Sequence, residues 1–533
     1  MDGNKGGAED SAAKLGQMVA RGATFLFLSQ IGSAIIGLVG SIILVRLLVS
    51  PAVYAPIGLA ITVPGLVMLG DVTGVNTSIT RFLSEYKRSH DSNAIWSTFW
   101  TGFAVKATTG LVLSAAAYFA ASPIAGLVGK SQVLPYFLIA APLPFVWVTQ
   151  VNVKSTLLAL DAPRGYSILQ VFNEVLLSAS PILAVLMGLG AEGALTYMVF
   201  ANYLYLFVAY AYCVTVVLSA TKRTQRKFEF ATTIRKLLAF GAPLGFSNSF
   251  TNFAGQAVNL TIARYVSLDT YGLYSVASSA GGFMSYVVDP IKAMLLPAYS
   301  RVAGLRNSDV LKTLCVQTTR YETAFVLPVA LFFIVFAWPF VTLLYGAEYL
   351  GAGEILMLIA LTFLSTGLAN DALTTFLISG GFTKFIGGVG VVSAVISMVV
   401  AISVIPTFGL VGFLVASIFT FIPGYLLVVS KSRKALGLAP PIGQVKPFYY
   451  SLVLTGIISG AVALLALPSF ALVLIGLGLV PLVFITFSAL FRAIEPADFD
   501  RLRSMISTQS VVPRLVNPLI EMSERLVRHI RRE

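Results

Sequence analysis

Cysteine and histidine are almost missing from this chain, with two of each among 533 residues. Cys213 and Cys315 lie beside or within apolar runs, so neither a disulfide scaffold nor a cysteine-ligated metal centre fits them. His90 and His529 fall in segments expected to be cytoplasmic, where a solvated imidazole is the ordinary outcome. Charge is equally scarce: Asp, Glu, Lys and Arg make up 11% of the chain, against roughly 25% in a soluble domain. Long loops are lacking too. No connection between apolar segments exceeds about twenty residues, which leaves little room for the extramembrane catalytic acid of a membrane-embedded glycosyltransferase or polymerase. Nor is there a phosphate-binding loop. Gly129-Lys130-Ser131 ends like one, but the earlier glycine would fall on Ile124, and ATP hydrolysis is set aside.

What is present is apolar length. Hydrophobic residues form 57% of the chain, and the mean hydropathy is +0.86. A helix needs about 20 apolar residues to cross a hydrocarbon layer about 30 Å thick while satisfying its own backbone. Stretches of that length recur from end to end. They predict an all-α polytopic membrane protein with about fourteen transmembrane helices, near 22–45, 54–79, 95–121, 134–159, 166–188, 193–219, 240–262, 272–297, 317–343, 353–378, 384–405, 410–430, 449–469 and 472–492. The first of these reads as a retained span, because no small-residue cleavage site follows it.

Lys and Arg accumulate in cytoplasmic loops because they are hard to translocate. Nearly all of the 36 here fall in the even-numbered loops and the two ends, with Arg46, Lys130 and Arg264 on the other side. Both termini are therefore expected in the cytoplasm of a multi-pass protein of the cell (plasma or inner) membrane. Topology, not nucleic-acid binding, accounts for most of the net +13.

The chain also contains a repeat with an offset of about 218 residues. Arg46-Leu47-Leu48 with Tyr54 matches Arg264-Tyr265-Val266 with Tyr271, and Thr80-Arg81 matches Ser300-Arg301. Pro123, Leu127 and Gly129 are echoed by Pro339, Leu344 and Gly346, Arg164 by Lys384, and Gly190 with Gly193 by Gly409 with Gly412. Six spans per unit, an even number, make the repeats parallel and imply a pseudo-two-fold axis along the membrane normal. Such a plan places a cavity between two lobes that rock to open it on one side at a time. The expected divisions are an N-terminal six-helix lobe (1–221), a basic cytoplasmic linker (222–239), a C-terminal six-helix lobe (240–435), two additional helices (446–495) and a basic tail (496–533). In the tail, Leu515, Leu519, Met522, Leu526 and Ile530 share one helical face, with Arg525, Arg528, Arg531 and Arg532 around it. That amphipathic pattern suits the anionic inner leaflet, with a partner-binding helix as the alternative.

Trp338-Pro339 through Leu344-Tyr345-Gly346-Ala347-Glu348-Tyr349, together with Arg46-Leu47-Leu48 and Tyr54, resembles the polysaccharide flippase family of the multidrug and oligosaccharidyl-lipid exporter superfamily. Leu296-Pro297 through Ser300-Arg301 carries the same resemblance, as does Ile378-Ser379-Gly380 through Lys384 to Ile405-Pro406 and Gly412. It implies two MATE-like six-helix lobes with two extra helices. The implied substrate is an oligosaccharide on a polyprenyl phosphate or diphosphate, flipped from the cytoplasmic to the outer leaflet for surface glycan assembly, alongside partner proteins of that assembly. Ala55 departs from the pattern, where the family has Gly after the Tyr, as the second repeat does at Gly272.

An ionisable group in a span costs about 2.5–3.5 kcal/mol on insertion scales, so each needs an explanation. Lys106, Lys292, Arg46 and Arg264 are the expected anion contacts for substrate phosphate. A buried ion pair is the rival for the lysines, Asp289 standing three residues before Lys292, and interfacial snorkelling is the rival for the arginines. Asp71, Glu174, Asp371 and Asp289 are the acids available for coupling to a proton or sodium gradient, with Glu174, beside Asn173, first among them; hydrogen bonding between helices is the structural alternative. No catalytic residue, metal or other cofactor is expected. A cation-coupled multidrug exporter of the same fold is the competing function.

Overall fold

A computed structural model describes residues 5–71, 73–221, 229–282, 284, 308–495 and 498, together with 521, 524, 525, 527 and 528 of the tail. Among the described residues there is no strand, and the helices follow the apolar runs. Ten segments are long and apolar enough to cross a membrane, or eleven when the bent pair Ala352–Leu368 and Asn370–Ser379 counts as one. The difference from about fourteen has local causes. Thr383–Leu436 is one apolar stretch in which two expected spans meet at a kink. The helix Phe230–Tyr265 stands at the seventh expected span but carries Ser249, Asn252, Gln256 and Asn259. The eighth is described only from 268 to 284.

The first lobe comprises α1 (Lys5–Leu48), α2 (Pro51–Ala60), α3 (Thr62–Val67), α4 (Val75–Arg88), α5 (Ser92–Val128), α6 (Leu134–Ala140), α7 (Leu143–Ala159), α8 (Pro163–Leu186) and α9 (Gly190–Ala220). Within it α1 lies along α8, α8 along α9, and α5 along α7. The second lobe comprises α10 (Phe230–Tyr265), α11 (268–282), α12 (Ser308–Val335), α13 (Ala337–Tyr345), α14 (Ala352–Thr362), α15 (Asn370–Ser379), α16 (Thr383–Thr420) and α17 (Ile422–Leu436). The remaining pair, α18 (Ile442–Ala463) and α19 (Ser469–Leu490), packs on α12. The large apolar core joins the lobes: Val45, Leu59 and Ala121 belong to the same buried cluster as Val258, Ile262, Tyr345 and Tyr349.

The repeated punctuation has repeated geometry. Gly129 and Gly346 both take positive φ (72° and 103°) and end α5 and α13, a backbone region that L side chains disfavour. Gly190, which begins α9, and Gly409, inside α16, also take positive φ, at 61° and 66°. Three residues on, a Cβ on Gly193 would stand 2.2 Å from Leu189 Cβ, and one on Gly412 would stand 2.3 Å from Phe408 Cβ. The first glycine of each pair breaks the helical course of the chain, and the second leaves room for the side chain just before the break. Ala55 is fully buried inside α2. At its counterpart Gly272, a Cβ would lie 2.1 Å from the Pro51 carbonyl oxygen. The close approach thus rests on the second repeat alone.

Candidate functional site

The second expected span is broken. After α3 the chain makes a short 3-10 turn at Met68–Gly70, passes through Asp71 (φ −82°, ψ 55°), and restarts as α4 after Gly74 in the left-handed region. A break within a membrane leaves backbone groups to satisfy and needs polar partners. At this break Lys106 of α5 pairs with the side chain of Asp71: its Nζ donates to both carboxylate oxygens, at 2.8 and 2.9 Å. Thr73 Oγ1 donates to Asp71 Oδ1 at 2.9 Å. From the other lobe, Ser249 Oγ of α10 donates to the Asp71 carbonyl at 2.9 Å. Lys106 is 0% exposed and Asp71 12%. The ammonium is therefore held by the side chain of a residue whose own main-chain carbonyl is bonded from the other lobe.

That contact continues along α10. A Cβ on Gly65 would meet the Gln256 side chain at 2.6 Å, Gly74 and Gly241 bring their backbones together, and Ser78 Oγ donates to the Leu237 carbonyl at 2.6 Å. Ser249, Gln256 and Asn259 are not among the site residues expected from the sequence. Their signal was available, since Ser249, Asn252, Gln256 and Asn259 recur at helical spacing in an otherwise apolar run, the pattern by which helices hydrogen-bond in lipid.

The other expected residues are dispersed. Glu174 lies between α1 and α8, its carboxylate over Gly37, where a Cβ would stand 2.4 Å from Oε1. One turn on, Ser178 Oγ donates to the Ile36 carbonyl at 3.3 Å. The Glu174 carboxylate has no hydrogen bond or ion pair among the described residues. Asp371 is in the first turn of α15, beyond a 56° bend at Ala369, where the helix dipole favours a negative charge. Arg46 and Arg264 stand at the end of the molecule away from the basic loops, and each bonds main-chain oxygens of the opposite lobe: Arg46 those of Leu343 and Leu344, Arg264 that of Leu127. Lys292 and Asp289 lie outside the described residues, as do Arg301 and most of the tail's amphipathic face.

No curated protein matches the chain. Among solved structures it is similar to one described as the lipid II flippase MurJ in an inward closed conformation, over 87% of this chain and 98% of that one, with a TM-score of 0.69 and 15% identity. It is also similar to an inward-facing multidrug resistance MATE family transporter, over 78% of this chain and 98% of that one, with a TM-score of 0.59 and 14% identity. At such identities the likeness establishes the fold. The model of the polysaccharide biosynthesis protein family matches residues 43–354, which takes in the broken span, the Asp71–Lys106 pair and the second repeat as far as the start of α14. By that match, which covers more than half of its length, the chain belongs to the polysaccharide biosynthesis protein family.

Proposed function

We propose that the protein moves a lipid-linked oligosaccharide, carried on a polyprenyl phosphate or diphosphate, from the cytoplasmic to the outer leaflet of the cell membrane, its two lobes rocking about the contact along α10. The observation that carries this reading is the Lys106–Asp71 pair, a buried cation at a break in a span whose neutralising acid is tied to the other lobe through Ser249. A lipid diphosphate offers an ammonium more acceptor oxygens and more negative charge than one carboxylate. Its arrival at Lys106 displaces Asp71, loosens the Ser249 contact, and so couples substrate to lobe movement. A lipid phosphate needs such a cation only while it is out of the headgroup layer, and the pair re-forms when the substrate leaves. Loading is from the side of the basic loops, and the accumulation of Lys and Arg there supports that side as cytoplasmic. Glu174, set against Gly37 without a basic partner among the described residues, is the acid available for gradient coupling.

The test is transbilayer movement of a polyprenyl-diphosphate oligosaccharide in proteoliposomes, with and without an imposed proton or sodium gradient. Protein-dependent movement is expected, and any acceleration by a gradient should vanish in Glu174→Gln. Absence of movement with several such glycans, under conditions where cationic dyes are exported, would make the protein a multidrug exporter instead.

A further inference from the structure

Each α-helix leaves its last four carbonyls without intrahelical partners. At the end of α5, Gly129 N–H takes those of Ala125 and Gly126. The next, Leu127, accepts from Arg264 Nη1 at the end of α10 in the other lobe. At the end of α13, Gly346 N–H takes the Thr342 carbonyl. The next two, Leu343 and Leu344, accept from Arg46 Nη2 and Nε, at 2.5 and 2.7 Å, at the end of α1 in the first lobe. The residues involved are those the repeat pairs: Arg46 with Arg264, Leu127 with Leu344, Gly129 with Gly346. Each lobe thus caps a helix of the other, using the arginine that ends its own first span.

We propose that Arg46 and Arg264 form a reciprocal latch, positioning residues that hold the two lobes together at the end opposite the basic loops and must let go for that end to open. Two features make it more than interfacial anchoring. The guanidinium donors go to the carbonyls that the glycine caps leave over, and in both copies those carbonyls belong to the other lobe. The negative end of a helix dipole adds to the attraction for a cation, and a planar fork of N–H donors can reach two adjacent carbonyls, as Arg46 does. The two seams differ in one respect. Lys130, just past α5, donates back to the carbonyls of Ala263 and Val266 at the end of α10, so the α5–α10 seam is clasped from both sides. The α13 side has Ala347 and Glu348 after its glycine and no such cation. When the latch releases, the α1–α13 seam parts first and the more tightly clasped α5–α10 seam follows.

The purpose of the latch rests on the transporter reading, but its existence does not, and the test needs no substrate. Spin labels at Gln132→Cys and Glu348→Cys, both exposed and one in each lobe, are placed in full-length protein carrying Cys213→Ala and Cys315→Ala, and their distance distribution is measured in lipid bilayers. Arg46→Gln and Arg264→Gln should each enrich the longer-distance population, by up to about five-fold. The double variant should approach the product of the two, because the seams are separate sites. Arg46→Lys, which keeps the charge and loses the fork, should fall between Arg46→Gln and the parent. Unchanged distributions in both single variants, in protein of native helix content, overturn the latch whether or not the double variant folds. Opening in the variants without glycolipid movement by the parent protein keeps the latch and removes the proposed substrate.

Discussion

The lysine in the middle of α5 poses a choice between structure and transport that charge removal can resolve. Breaking a buried ion pair on one side leaves an uncompensated charge, typically a loss of about 3–5 kcal/mol. Asp71→Asn or Lys106→Gln alone should therefore lower the thermal midpoint of the detergent-solubilised protein markedly. The double variant Asp71→Asn/Lys106→Gln leaves no charge behind and should recover most of that loss. If Lys106 receives the substrate's phosphate, the recovered protein still fails to move glycolipid; if the pair is only structural, transport returns with stability. At Gly272 the constraint is steric. An alanine there would put a methyl group 2.1 Å from the Pro51 carbonyl oxygen of the first lobe, and backbone cannot turn aside as a side chain can. Gly272→Ala should destabilise by about 1–3 kcal/mol, read as a fall in melting temperature, whereas Ala55→Gly at the matching position of the other repeat relieves no such contact.

At the scale of the element, the Gly-x-x-Gly entries to α9 and the second half of α16 show how much a short spacing can specify. Gly409 kinks the chain with φ 66°, and Gly412 makes room for Phe408. An alanine at 409 costs about 1–2 kcal/mol for the left-handed conformation, and one at 412 collides with the Phe408 Cβ. Both substitutions should reduce the yield of folded protein in membranes, and Gly190→Ala and Gly193→Ala should do the same in the first lobe. These glycines, and the caps Gly129 and Gly346, were legible in the sequence because positive φ nearly requires glycine. The break after α3 was not legible, since Asp71 and Lys106 are 35 residues apart and nothing local pairs them. Likewise α15 continues the apolar run of α14, and the 56° bend between them is set at Ala369, a residue type that announces no turn.

For the whole molecule, the two helices beyond the repeat are fastened to the second lobe. Arg320 of α12 donates to the Ala493 carbonyl at 2.8 Å and to Asp498 Oδ2 at 3.0 Å, while Tyr321 OH donates to Asp498 Oδ1 at 3.2 Å. Asp498 also accepts from the Glu495 N–H at 2.9 Å, so one carboxylate ties the chain just after α19 to α12. Asp498→Ala should free this segment and make the junction after Leu490 cleavable by added protease in intact proteoliposomes, without unfolding either lobe. Faster cleavage with unchanged melting is the expected result, and unchanged cleavage would mean that apolar packing of α18 and α19 on α12 suffices.

The sequence by itself determined that the chain is helical and membrane-spanning, that it repeats, which ends of the spans are basic, and where the reversals fall. Each of these is a local property: apolar length against hydrocarbon thickness, Lys and Arg against translocation, glycine against positive φ. Only the tertiary structure decided what the charges do, because a charge is defined by its partner. It set Asp71 beside Lys106, Ser249 on Asp71, Glu174 over Gly37, and Arg46 and Arg264 on the carbonyls of the opposite lobe. Those pairings join residues far apart along the chain, and they depend on how close the two lobes come, which no local pattern encodes.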